Sequence, residues 1–197
     1  SERELLTCLK VYDVLAKKRN PFGDNVVTFG NVAIVSVSGG HAVLASDMLK
    51  KYGLEAVRFS HQEKRDLKDL MNPVAAGIAS FNNPIDLTGS VLDTDIENIV
   101  RYLSDVDRIE CIILLLLPYP PNISFQIGRR VANIITSKNK PVVCFVPYVS
   151  KYSLIIESLE LANVPVFHSI KETVQAVSAL KQRTRVDNLK LKNMFWE

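Results

Sequence analysis

Short apolar runs alternate with amphipathic stretches along most of the chain. Residues 32–35 form a β-branched run that stops at Ser38-Gly39-Gly40, which is typical of a buried parallel strand at its carboxyl end. Apolar residues then recur at spacings of three and four from position 42 to position 52, and Gly53 follows. This spacing predicts a helix that packs back on the sheet and ends at a glycine cap.

The alternation continues to the end of the chain. Thr94 and Glu97 have capping-box spacing, and Ser169 and Glu172 have it again before the last helix. Residues 72–92 are irregular, and a loop of this length inside a compact domain is usually functional. The patterns predict further strands at 55–59, 109–117, 142–146 and 164–167, and helices at about 2–19, 62–71, 94–103, 122–136, 150–162 and from 169 onward.

Strands that alternate with helices in this way form a parallel sheet with right-handed crossovers. We therefore expect a doubly wound α/β fold, a flavodoxin-like parallel sheet of about five strands with helices on both faces. Residues 1–26 are expected to be a lead-in helix and linker, and residues 27–182 the domain itself. Residues 183–197 are expected to be a basic carboxyl-terminal tail that is solvated.

Composition and charge exclude several classes of protein. The 24 basic and 21 acidic residues are interspersed and leave a net charge of +3, so nucleic-acid binding is not indicated. No apolar stretch approaches the roughly 20 residues that cross a bilayer. The three cysteines have no metal or redox spacing, so we expect a cytoplasmic protein that holds no metal. Because the chain begins at Ser1, we expect it to be an excised piece of a longer protein.

The turn at Ser38-Gly39-Gly40 is the first candidate for chemistry. Ligands of open α/β sheets bind beyond the carboxyl ends of the strands. Glycines let a ligand approach the backbone closely, and the amides of a helix N-terminus favour an anion such as phosphate. The turn lacks the lysine of a Walker A loop and the third glycine of a G-x-G-x-x-G fingerprint. Nucleotide binding of those two types is therefore disfavoured.

Three segments resemble a known family. Residues 32–47, with the sequence VAIVSVSGGHAVLASD, are similar to the opening of the succinyl-CoA-ligase-like flavodoxin domain of ADP-forming acetyl-CoA synthetases. Residues 83–87, Asn-Pro-Ile-Asp-Leu, resemble the Asn-Pro-Val-Asp-Leu element of the same domain. Residues 163–167 resemble its helix end followed by a Pro-Val-Phe strand. Together the matches cover roughly residues 27–182.

The resemblance implies that the chain is part of an NDP-forming acyl-CoA ligase. Such enzymes convert acyl-CoA, NDP and phosphate into free acid, CoA and NTP through an acyl phosphate and a phosphohistidine on another domain. The implied partners are CoA-binding, phosphohistidine and ATP-grasp domains, and a homo-oligomer is left open. CoA, ATP or ADP, and phosphate would be substrates, with magnesium held elsewhere. No cofactor is expected to bind tightly, and no catalytic residue is assigned. Because the family's reaction requires the other domains, this fragment alone is expected to be inactive.

The resemblance also implies which residues lie near the phosphate. It assigns phosphate binding to Ser38, Gly39 and Gly40, and a nearby loop to Asn83, Asp86, Thr88 and Gly89. His41 joins the phosphate-binding candidates because it lies at the first turn of the same helix. The chain departs from the family where Asn and Pro usually flank the glycines, because it has Val37 and His41. His41 could contact the phosphate, accept it, or have no role. Asn83 and Asp86 could instead close turns with their side chains.

Two other readings of the same fold remain. One is a non-catalytic flavodoxin-like regulatory or small-molecule-binding module. The other is a ligase-like domain borrowed by an acyltransferase, in which the helix binds no phosphate.

Overall fold

A parallel sheet of six strands lies at the centre of the computed structural model. The structure describes residues 1–16, 29–118, 121–138 and 140–194, with the backbone alone at residues 15, 16 and 183–194. The strands are β1 Asn31–Ser36, β2 Glu55–Ala56, β3 Ile85–Asp86, β4 Cys111–Leu115, β5 Val142–Phe145 and β6 Val166–Phe167. The helices are α1 Glu2–Ala16, α2 Gly39–Lys51, α3 His61–Asp69, α4 Pro73–Ala76, α5 Asp93–Ser104, α6 Ile127–Ser137, α7 Ser153–Leu161 and α8 Ile170–Met194, with a 3₁₀ turn at Ser150–Tyr152.

The strand order β2-β1-β4-β5-β6 is the flavodoxin order once β3 is set aside. Strand β2 pairs with the beginning of β1, and β3 pairs with its end through Ser36 and Asp86. The chain moves from β1 to one side of the sheet and later returns to place β4 on the other side. The topological switch therefore lies between the carboxyl ends of β1 and β4.

Helices cover both faces of the sheet, and β1 shows this directly. Ala33 and Val35 point into one apolar cluster with α3, α5, α6 and α7. Val32 and Ile34 point into a second cluster with α1, α2 and α8. The expected doubly wound α/β fold is confirmed. The lead-in helix adds Val11 to the second cluster, so α1 packs on the domain.

The structure corrects the prediction for residues 55–59 and for the irregular stretch 72–92. Of residues 55–59, only Glu55–Ala56 is strand. The irregular stretch contains α4 and β3, and β3 is one strand more than the five that were expected. Beyond β2, the side chain of Asn83 lies between β1 and the outgoing chain, where it accepts from the Ile34 N–H at 2.9 Å and donates to the Val57 carbonyl at 2.9 Å. In a regular parallel ladder these two backbone groups would bond to each other.

The predicted helix caps have different outcomes. The predicted capping box of Thr94 and Glu97 is wrong, because α5 begins at Asp93, before Thr94. The cap is formed instead by the carboxylate of Asp95, which accepts from the Leu92 N–H at 2.8 Å. The cap at Ser169 is confirmed, since its hydroxyl accepts from the Glu172 N–H at 3.2 Å.

Other element boundaries differ from the sequence prediction by a few residues. The largest difference at the start of a helix is in α6, which begins at Ile127, whereas the sequence predicted a start near residue 122. At the carboxyl end, α8 continues as helix through Met194, so the basic stretch is a helix end as far as the structure describes it. The end of the predicted lead-in helix, at residues 17–19, the linker that follows it and residues 195–197 lie outside the described residues.

Candidate anion site at the start of helix α2

Two serines close the turn between β1 and α2. The fully buried Ser36 donates its hydroxyl to the Ser38 carbonyl at 2.8 Å and accepts from the Ser38 N–H at 3.1 Å. The chain on one side of this turn is held by β4, because the Val37 N–H donates to the Leu115 carbonyl at 3.4 Å. On the other side the Leu87 N–H donates to the Ser36 carbonyl at 2.8 Å. The turn is thus fixed at the switch point of the sheet.

Helix α2 begins without a side-chain cap on its first amides. Its first helical bond runs from the Ala42 N–H to the Ser38 carbonyl at 3.0 Å. Ser38 has the extended backbone of an N-cap residue, but its side chain makes no capping bond. The N–H groups of Gly39, Gly40 and His41 therefore have no hydrogen-bond partner among the residues that the structure describes. Such amides, together with the positive end of the helix dipole, form a site for an anion.

His41 is held in place by contacts on both sides of its ring. Its Nδ1 lies 2.9 Å from the Ser38 hydroxyl. The ring also packs on Phe145 at the end of β5, with 5.4 Å between the two centroids. The half-buried imidazole therefore leans across the carboxyl end of the sheet. Its Nε2 is the ring nitrogen left for a ligand.

The loop after β3 brings a carboxylate to the same helix end. A Cβ built on Gly39 would stand 2.6 Å from Asp86 Oδ2, so this oxygen lies directly against the first residue of α2. The other oxygen, Oδ1, accepts from the Thr88 N–H at 3.0 Å. Thr88 has φ +63°, a conformation that a β-branched residue rarely adopts. The Asp86 side chain thus supports a strained loop and places negative charge beside the free amides.

The two helix glycines have different surroundings. Gly39 is packed against Asp86, whereas a Cβ on Gly40 would meet nothing within 4 Å. Gly89, in the loop after β3, is equally open. A ligand can therefore approach the backbone of α2 at Gly40 without displacing any described atom.

The structure brings together most of the residues that were assigned from the sequence. Ser38, Gly39, Gly40 and His41 form the helix start, and Asp86 and Thr88 lie beside it. Asn83 is different, because its amide is used by the strands and also donates to the Val32 carbonyl at 2.8 Å. Sequence reasoning missed Ser36 and Phe145. A serine two residues before Ser38 was the only signal for the first, and the contact between His41 and β5 has no local signal.

The cysteines lie away from this helix end. Cys111 and Cys144 are buried in strands β4 and β5. Burial raises the pKa of Cys144 far above its ordinary range, which keeps it a neutral thiol. In the described part of the chain, no group of three or more His, Cys, Asp or Glu residues is placed to hold a metal ion. Over the same residues, no helix is both long and apolar enough to cross a membrane.

The fold is that of a flavodoxin-like α/β domain, with the start of α2 at its topological switch point. The sequence relatives are ADP-forming acetate–CoA ligases. Acetate–CoA ligase [ADP-forming] I of Archaeoglobus fulgidus is 25% identical over 159 residues, which span 80% of this chain and 22% of that protein. The alpha subunit of acetate–CoA ligase [ADP-forming] II of Pyrococcus furiosus is 24% identical over 160 residues, 78% of this chain and 34% of the subunit. No protein-family model matches the chain.

Solved structures show the same fold. PH0766 from Pyrococcus horikoshii superposes with a TM-score of 0.79 at 20% identity, over 94% of this chain and 40% of its own. The dinucleotide forming acetyl-coenzyme A synthetase 1 of Ca. Korarchaeum cryptofilum superposes with a TM-score of 0.68 at 19% identity, over 82% of this chain and 35% of its own.

The resemblance predicted from the sequence is confirmed, because homologues over about four fifths of the chain are ADP-forming acetyl-CoA synthetases. The chain spans only about a fifth and a third of the lengths of these two relatives.

Proposed function

We propose that the chain is one domain of an NDP-forming acyl-CoA ligase and that the start of α2 receives a phosphoryl group carried by a histidine of a neighbouring domain. The observation that carries the proposal is the set of unpartnered amides at Gly39, Gly40 and His41, fixed at the switch point of the sheet. The sequence relatives supply the reaction class, since both are named as ADP-forming acetate–CoA ligases.

In this reaction the role of the domain is electrostatic. Phosphate displaces CoA from the acyl-CoA, the acyl phosphate gives its phosphoryl group to the histidine, and the phosphohistidine gives it to NDP. At each transfer the phosphoryl oxygens carry negative charge, which fixed amides stabilise without a covalent bond. In the proposal Gly40 allows the closest approach, and His41 adds its Nε2. Binding of CoA, the nucleotide and magnesium belongs to other domains.

The test uses the full-length protein, with its partner subunit if that is separate. The assay follows release of phosphate and NDP from NTP in the presence of CoA and a panel of acids. Gly40→Glu should lower turnover by about 100-fold or more, because it places a carboxylate at the phosphate position. Gly40→Ala is the matched control, since a Cβ at this position meets nothing within 4 Å. It should keep turnover close to the wild-type value.

Two outcomes would contradict the proposal. Unchanged turnover in Gly40→Glu would remove the phosphate role of α2. Absence of acid-dependent turnover in the wild-type protein over a broad panel of acids would remove the ligase assignment itself. Circular dichroism of each variant separates loss of fold from loss of function.

One observation favours a second candidate, a regulatory domain that binds no phosphate. The carboxylate of Asp86 already lies at the helix end that an anion would occupy. In that case phosphate would leave the amide resonances of residues 39–41 unchanged in nuclear magnetic resonance spectra of this chain. The ligase proposal expects those resonances to shift.

A further inference from the structure

An open groove with a basic wall lies between helix α3 and the segment from Ala79 to Asn82. Its volume is about 470 Å³. The helix contributes the basic wall, and the segment contributes the opposite wall with Ser80 and Phe81.

The charges on α3 are separated by face. His61, Lys64, Arg65 and Lys68 follow the helical spacing of three, four and seven positions, so they share the stripe that faces the groove. None of the four forms an ion pair with a carboxylate in the described part of the chain.

Two of the three acidic residues of α3 have partners outside the groove. Glu63 pairs with Arg108 at 2.6 Å, and Asp66 accepts from the Tyr102 hydroxyl at 3.3 Å. Neither carboxylate lines the groove. The lining of the groove thus contains basic side chains and no acidic ones, and this local charge favours an anionic ligand.

Both walls are fixed before any ligand binds. Leu67 is fully buried and anchors α3, while Phe81 packs against the core. Ser80 and Asp86 exchange two backbone hydrogen bonds of 2.9 Å each. Across the groove, Lys64 Nζ donates to Asn82 Oδ1 at 2.6 Å, which holds this ammonium at the rim. A ligand would lose little affinity to ordering of these walls.

We propose that this groove binds a small molecule with two or more phosphate groups, such as a nucleoside diphosphate. Lys64, Arg65 and Lys68 supply three permanent positive charges, which suit a diphosphate better than a single carboxylate. Ala79 and the half-buried Phe81 add apolar surface against which a base can lie. None of the residues that line the groove belongs to the helix start of α2, so this inference goes beyond the proposed function.

The first experiment maps binding on the full 197-residue chain by amide chemical shifts. The probes are ADP, inorganic pyrophosphate and adenosine. ADP and pyrophosphate should shift the resonances of residues 61–68 and 79–82, and adenosine should shift them little. Shifts confined to residues 39–41, or equal effects of adenosine and ADP, would overturn the proposal.

The second experiment compares two variants of equal charge change. The variant Lys64→Gln/Lys68→Gln should bind ADP about tenfold more weakly, since two direct charge contacts are removed. The control Lys50→Gln/Lys51→Gln removes two exposed lysines from the last turn of α2 and should bind as the wild type does. Equal affinities of the two variants would overturn the proposal. Phosphate shifts at residues 39–41 should persist in both, which tests the α2 site independently.

Discussion

Asp86 Oδ2 lies against Gly39 so closely that a Cβ on residue 39 would stand 2.6 Å from it. A Cβ on the neighbouring Gly40 would meet nothing within 4 Å. The two glycines therefore have different physical requirements. The first is needed for packing between α2 and the loop after β3, and the second keeps the helix end accessible.

Gly39→Ala should lower the free energy of unfolding by about 1 kcal/mol, because the Asp86 side chain must rotate away from the new methyl group and give up its bond from the Thr88 N–H. Gly40→Ala should leave it unchanged or raise it by about 0.5 kcal/mol, since alanine restricts the unfolded chain and meets no described atom. Urea denaturation followed by circular dichroism measures both. The cost of Gly39→Ala should shrink in an Asp86→Ala background. Equal effects at the two positions would contradict this account.

Asp86→Asn should strengthen phosphate binding at the start of α2 by about threefold to tenfold, because a negative charge beside the anion is removed. The amide oxygen of asparagine can still accept from the Thr88 N–H, so the loop keeps its support. Asp47→Asn, on the exposed side of α2, is the control for net charge and should have a smaller effect. Calorimetric titration with phosphate measures the change. Weaker binding in Asp86→Asn would show that the carboxylate assists the ligand.

The strands and helices that alternate along the chain could be predicted from the sequence. The apolar run before Ser38 and the three-four spacing after it specify a strand and a helix, and both were predicted within about three residues. The short strand β3 has only two residues, so it carries no periodicity that could reveal it. The beginning of α6 was placed too early because residues 121–126 form turns that the sequence pattern did not distinguish from helix.

The candidate site was predictable where its residues are neighbours in sequence. Ser38 to His41 follow one another, and the helix start they form is local. The approach of Asp86 to Gly39 spans almost fifty positions and depends on the pairing of β3 with β1. The contact of His41 with Phe145 depends likewise on the order of strands. Neither could be read from spacing, because parallel strands meet only after long crossovers.

Asn83→Ala should lower the free energy of unfolding by about 2–4 kcal/mol, because two buried backbone groups of the sheet would lose their hydrogen-bond partner and a third would lose one of its two. These groups are the Ile34 N–H and the carbonyls of Val32 and Val57. The adjacent Asn82→Ala is the matched control, since Asn82 is exposed and bonds only Lys64 among the described side chains. Its effect should stay within about 0.5 kcal/mol. Comparable losses in the two variants, measured by urea denaturation, would contradict a structural role for Asn83.

Glu97 should make part of the free energy of unfolding depend on pH in the acidic range. Its carboxylate accepts from Arg130 and Arg101, each at 2.9 Å. The bond to Arg130 is the largest cause that lowers the pKa of Glu97 below its ordinary value of 4.5. The folded state therefore binds the proton less readily than the unfolded state. The stabilisation is complete above 4.5 and is lost as the pH falls through the lower folded pKa.

Comparison with Glu97→Gln isolates this effect. The wild-type protein should be more stable than the variant by a constant amount near pH 6, and the difference should shrink toward about pH 3. Arg130→Gln removes the larger cause, so in that background the loss of stabilisation should be smaller and should be complete at a higher pH, closer to 4.5. Urea denaturation at a series of pH values measures each difference. A difference between wild type and Glu97→Gln that stays constant down to about pH 3 would contradict the ion pair's contribution, because a carboxylate with a lowered pKa must lose its advantage once it is protonated.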